Sequence, residues 1–312
     1  MIRAALALML ALALARPAMA EIVLNSAKCD RAWEVLSTGV SAFGAVTGRV
    51  TPVGVACAFT NVVVDNPGQY VPDWHIGSAL IEGPALDWLA LGDGAPTALT
   101  LHLRDLRFVV QTGDAQMDYL FAAQARANPV QADVALEWDP AARVLTLDRL
   151  DLDFPGDNRI SLTARVAGVD LSSTAALQMS ATGFAVTEAD LSLQTHGLFE
   201  AYALMALGPM VLPREGDMDA AARTLRADLV AMADALPAPT FSDPSRQALR
   251  AVIAELPNPS GVLTLALRSE VGVGPARLMG YAMTGIPRTL DAAAPLFDGV
   301  MITIGWEPQD AP

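Results

Sequence analysis

The chain has 312 residues, a formal net charge of −14, 53% hydrophobic residues and 17% charged ones. So acidic a balance excludes nucleic-acid binding, which needs clustered Lys and Arg, and disfavours electrostatic docking on anionic lipid head groups. The length suits one large domain or two modest ones with ample core.

In chain order, residues 1–20 come first: MIRAALALMLALALARPAMA. Arg3 supplies a positive start, residues 4–15 are unbroken apolar sequence, and Ala18-Met19-Ala20 is a small-x-small cleavage site. The apolar run falls short of the roughly twenty residues that span a bilayer. The expectation is a cleaved secretory signal and hence a periplasmic or secreted protein; the alternative is an uncleaved N-terminal anchor. No transmembrane span is expected after cleavage. Removing Arg3 and Arg16 leaves the remainder more acidic still, which favours solubility.

Residues 21–196 read as a β-repeat region with one N-terminal helix. Ser26 is placed to cap a helix whose buried stripe is Cys29, Trp33 and Leu36, ending near Gly39. Cys29 and Cys57 are the only cysteines. In an oxidising compartment they are expected to pair, worth roughly 3 kcal/mol in the chain-entropy account; the alternative is two buried thiols.

Four segments share one apolar pattern, Φ-x-Φ-x-x-Φ-x-Φ. They are Cys57/Phe59/Val62/Val64, Leu101/Leu103/Leu106/Phe108, Leu145/Leu147/Leu150/Leu152 and Phe184/Val186/Ala189/Leu191, with starts 44, 44 and 39 residues apart. Near-fixed spacing marks a repeated supersecondary unit. A one-sided strand should alternate strictly, so the extra residue predicts a β-bulge that keeps one face buried. A tight turn at the polar pair (Thr60-Asn61, Arg104-Asp105, Asp148-Arg149, Thr187-Glu188) is the alternative. Between these, VALEW (134–138) and ISLTARV (160–166) alternate cleanly, and FPGDN (154–158) is a turn. Asp114 is placed to cap a helix bearing Met117, Leu120 and Phe121.

Residues 197–312 turn helical, with strands returning, and are read as part of the same globular unit. Helical apolar spacing follows Asp217 (Leu225, Leu229, Met232, Leu236) and Ser242 (Leu249, Val252, Ile253, Leu256); 237–244 is a loop, and strands are predicted at 261–267 and 300–306. The fold class is therefore α+β: a curved antiparallel meander with bulged repeats, packed by helices mainly in the C-terminal third.

Chemistry is sparse. There is no G-x-S-x-G elbow, and Ser26-x-Lys28 has the wrong spacing for a Ser–Lys pair. His75 is placed in a loop, His102 on a polar strand face, and His196 before a helix where it could meet Glu200; two ligands do not make a zinc site. Asp148, Asp151, Asp153 and Asp157 raise calcium, but strand alternation and the nearby Arg149 and Arg159 favour a solvated face. In GVGPARLMG, Pro275 starts a helix. No cofactor, metal or catalytic residue is assigned. The most unusual segment is 197–212, GLFEAYALMALGPMVL, with Glu200 its sole charge. Such a helix is fully buried or touches something apolar. As a lid or groove wall it would use Leu198, Phe199, Tyr202, Leu204, Met205 and Leu207.

LTLDRLDLDFPGDNRISLTARVAGVDLSS resembles the amphipathic strands of AsmA-like envelope proteins. It is closer to uncharacterised secreted proteins of Gram-negative bacteria with an LxLDxLxLDFPGxNxLxLxAxLxGVDLS pattern, in which a segment similar to ELPNPSGVLTLAL follows a helix. The resemblance spans about 50–310 and implies a periplasmic β-rich protein with a lipid-accommodating groove; no catalytic residue carries over. This chain is much shorter than the AsmA-like bridges, which argues against bridging. The leading expectation is a non-enzymatic envelope protein offering an apolar face to lipid or an envelope protein. Alternatives are a closed-core scaffold or assembly factor and a hydrolase with a non-local site.

Overall fold

The computed structural model describes residues 26–42, 44–68, 70–91, 96–213, 215–278 and 293–309; the signal expected at 1–20 lies outside them. One antiparallel sheet of ten strands, in sequential order, organises the chain. Its strands are β1 Ala45–Val53, β2 Ala56–Asp65, β3 Pro72–Glu82, β4 Ala98–Val110, β5 Val130–Asp139, β6 Val144–Phe154, β7 Asn158–Ala167, β8 Ala185–His196, β9 Ser260–Val273 and β10 Val300–Pro308. The helices are α1 Ser26–Val40, α2 Pro84–Leu91, α3 Ala115–Ala127, α4 Thr174–Gly183, α5 Leu204–Val211 (entered through a π-helical turn, Phe199–Ala203), α6 Met218–Asp234, α7 Asp243–Glu255 and α8 Pro275–Leu278. The α+β meander is as the sequence predicts, and the two long C-terminal helices start after Asp217 and Ser242 as expected, with those two side chains as their N-caps.

The repeated phase slip is a bulge, not a turn. The register of β2 against β1 shifts at Asn61, that of β4 against β5 at Arg104-Asp105, and that of β8 against β7 at Thr187. In β6 both neighbours shift around Asp148-Arg149. Asn61 and Asp105 take positive φ, 50° and 58°, a region that Asn and Asp tolerate better than other side chains. Each extra residue swings the following side chains back to the original face, so Val62, Leu106 and Leu150 stay in line with Phe59, Leu103 and Leu147. Phe184 lies one residue before its strand, as the C-terminal cap of α4.

The spacing did not predict β1, β3, α2 or α4. In β3 the same pattern recurs as Trp74, Ile76, Ala79 and Ile81, because β3 pairs with β2 and β4 without a register shift and must slip where they slip. Gly77 stands at that point. A Cβ there would lie 2.8 Å from the Cβ and Oδ2 of Asp105. The missing side chain therefore lets the Asp105 bulge close onto β3.

The sealed core lies at the N-terminal end of the sheet. Cys29, Ala32, Cys57, Phe59, Val62, Ile81 and Leu86 are buried, with α1 and α2 lying over β1–β4. Cys29 and Cys57 form the expected disulfide, joining α1 to β2, and Lys28 of α1 pairs with Asp87 of α2. At the other edge, Ile302 donates its N–H to Thr240 O and Ile304 donates to Ser245 Oγ, so the segment 240–245 covers β10. Unpaired strand edges invite aggregation, and this one is blocked.

Two outcomes follow. Reducing the disulfide, or C29S/C57S together, should lower unfolding free energy by roughly 3–4 kcal/mol for a 28-residue separation; an unchanged urea midpoint under reductant would refute this. G77A should destabilise by about 1–3 kcal/mol through the clash with Asp105, and D105G should recover part of it in a double-mutant cycle. Strict additivity would show that Gly77 and Asp105 do not act together.

Candidate functional site

Every second side chain of the sheet points to one face, and on β6–β9 that face is almost wholly aliphatic. The pairings make cross-strand rows: Leu147–Ala164–Ala189–Leu267–Ile302, Leu150–Leu162–Leu191–Leu265–Ile304 and Leu152–Ile160–Leu193–Leu263–Trp306. These are central strands of a ten-stranded sheet, where a helix-covered face would bury each leucine. Yet none of these side chains on β6, β7, β8 or β9 is fully buried; each keeps partial solvent access. The contrast with β2 is direct, since Cys57, Phe59, Val62 and Val64 are sealed. Among the described residues, helix packing on the sheet concentrates at β1–β4 and at β10. The result, on β6–β9, is an apolar and incompletely covered face, about 14 Å across at the usual strand spacing.

Both ends of this face are structured. At the end bearing the β6–β7 turn, the π-helical turn leads off β8 and the ring of Tyr202 lies 5.1 Å from that of Phe154. Of the predicted lid residues, Leu198 is buried, Phe199 and Leu204 are half-buried, and Tyr202 is exposed on one side. Burial pushes the Tyr202 phenol above its usual pKa. The side chains of Met205 and Leu207 lie outside the described residues. Glu200 Oε2 is buried without a hydrogen-bond partner among the described residues. At the opposite end a cavity of about 400 Å³ is lined by Phe184, Leu267, Val273, Leu296, Phe297 and Ile302 among others. That volume is in the range of small-molecule sites.

The reverse face carries the charge. Arg104 and His102 both reach Asp133, at 2.8 and 2.5 Å. Burial works against ionisation of Asp133, but the hydrogen bonds from His102 and Arg104 outweigh it and hold its pKa below the usual value. Arg159 binds Asp151 and Asp153, and Arg268 binds Asp190. The acidic cluster thus splits as its spacing suggests, with Asp151 and Asp153 taken by arginine. Among the described residues no three His, Cys, Asp or Glu side chains converge on a metal position.

The histidines are placed as follows. His75 is a β3 strand residue opposite Val63 and Arg107, not a loop residue, because the slip at Gly77 breaks the alternation that would mark β3 as a strand. His196 ends β8 and the helical turn starts at Phe199, so His196 and Glu200 do not share a helix. His196 Nδ1 lies 3.2 Å from Ser260 Oγ, and its Nε2 faces Gln194. The hydrolase constellation needs serine and carboxylate on one imidazole; here Ser260 is beside His196 and Asp133 beside His102. Ser26 starts α1, and Lys28 serves the contact with Asp87. No described helix is long and apolar enough to cross a membrane.

Neither a protein-family model nor a curated protein matches this chain.

Openness of the face is testable by truncation. L162A should cost about 1–2 kcal/mol, well below the roughly 2–5 kcal/mol of a sealed core leucine such as L86A. Equal losses in chemical denaturation would mean that β7 is sealed.

Proposed function

We propose that this is a non-enzymatic carrier of the bacterial cell envelope, exported to the periplasm by residues 1–20, that shelters an acyl chain on the aliphatic face of β6–β9. One observation carries the reading: leucines on the central strands of a wide sheet retain solvent access, while the paired Asp and Arg side chains of the same strands lie on the reverse face. Apolar surface left open in this way gains roughly 0.8 kcal/mol for each CH₂ it removes from water. The span of about 14 Å suits one lipid tail, since half of the roughly 30 Å hydrocarbon core of a bilayer is one tail length. A paired disulfide and the charge balance agree with an exported, soluble protein. The end cavity and the Tyr202 turn would flank such a chain, one on either side, at the two ends of the strands it crosses.

The test is native mass spectrometry and solvent extraction of the full chain purified from periplasm. Co-purifying lipid is expected in the wild type and should be lost in L162E. Polypeptide mass alone, with nothing extractable, would overturn the carrier reading and leave a scaffold.

A further inference from the structure

All five exposed aromatic side chains among the described residues lie at one end of the sheet. Tyr70, Trp74, Phe108, Tyr119 and Tyr202 are each between 42 and 69% exposed. They come from three separate stretches: the β2–β3 connection with the start of β3, the end of β4 with α3, and the turn after β8. In an up-and-down meander those stretches meet at the same end, alongside the β6–β7 turn. Trp74 and Phe108 touch edge to face at 6.4 Å, and the Tyr70 N–H is held by Gln111 O. At the opposite end the exposed large apolar residues, such as Val53, Leu177, Met179 and Val271, are all aliphatic.

Exposed Trp and Tyr have an apolar body and a polar tip, which is what a membrane–water interface accommodates. They are spread over a rim here instead of filling one pocket, so no shape-matched hot spot is formed. Charge selects the kind of surface. Asp65, Asp114 and Asp157 are exposed at this end, and Asp118 joins them, held ionised by hydrogen bonds from Thr112. On the basic side stands exposed Arg126, while Arg107 is committed to Asp105 and Arg159 to Asp151 and Asp153. An acidic aromatic rim repels anionic lipid and complements ammonium groups, which aromatic faces also attract. We propose that this end of the sheet docks on a zwitterionic phospholipid surface, with the aromatic rings in the interface and the acidic groups against its ammonium layer. The inference goes beyond the acyl-chain reading and does not depend on it.

The experiment is co-sedimentation of the full chain with vesicles of phosphatidylcholine or of phosphatidylglycerol. W74S/F108S removes the touching ring pair, and L177S/M179S is the control at the other end; circular dichroism checks that both fold. Binding to phosphatidylcholine is expected, weaker on phosphatidylglycerol, down roughly tenfold or more in W74S/F108S and unchanged in the control. Absence of binding, preference for phosphatidylglycerol, or indifference to W74S/F108S overturns the proposal. So does a wild-type dimer, by sedimentation velocity, that W74S/F108S converts to monomer without any vesicle binding; that result makes the rim a protein interface. Lipid extraction from W74S/F108S separates the two ideas: lipid retained with docking lost leaves the carrier reading intact.

Discussion

Side-chain alternation in a strand has a period of two, and a ten-stranded sheet keeps a single apolar face only if every strand holds its phase over its full length. In this protein that condition is met by bulges. An extra residue at Asn61, Asp105, Asp148-Arg149 and Thr187 would throw the second half of each strand onto the wrong face, were it not accommodated out of register. Gly77 shows how tightly this is coupled: the strand between two slipped strands slips with them and gives up its side chain at the crossing. Bulges also bend and twist strands, so the device that preserves the face gives the sheet its curvature.

The face so preserved is treated differently along its width. Over β1–β4 it is packed by α1 and α2, which seal the β2 side chains Cys57, Phe59 and Val62 and are tied by the disulfide and by the contact between Lys28 and Asp87. At β10 it is closed by α7 and the segment 240–245, with Phe241 bridged to Ile302 and Trp306 Nε1 donating to Glu255. Between these two supports the leucine rows of β6–β9 keep access to solvent. Helices fastened at both margins of a sheet can stabilise it without filling its middle. This separates what folds the chain from what remains free to bind.

Polarity runs along the strands as well as across the sheet. One end gathers the exposed aromatic residues and several acids; the other holds aliphatic residues and an apolar cavity. The reverse face is laced by cross-strand pairs of Arg with Asp, each modest in exposed settings. Their larger effect is to discourage the reverse face from burial, leaving one face for apolar contact.

Much of the architecture was legible in the chain because it depends on local spacing. The slip at 57, 101 and 145, the caps Asp114, Asp217 and Ser242, the FPGDN turn and the pairing of Cys29 with Cys57 follow from residue type and interval, and these are set before any tertiary contact forms. β1 and β3 were not legible. β1 is an edge strand whose core-facing side has Gly48 between Val46 and Val50, and β3 is interrupted by Gly77 where only its neighbours' bulges explain the break. Nor could spacing decide between lid and buried core for 197–212, or place Ser260 beside His196 and Asp133 beside His102, since those meetings join distant segments. Above all, an amphipathic strand declares that one face avoids water. Whether protein covers that face or leaves it open depends on where the helices come to rest, which is a property of the assembled sheet and not of any strand within it.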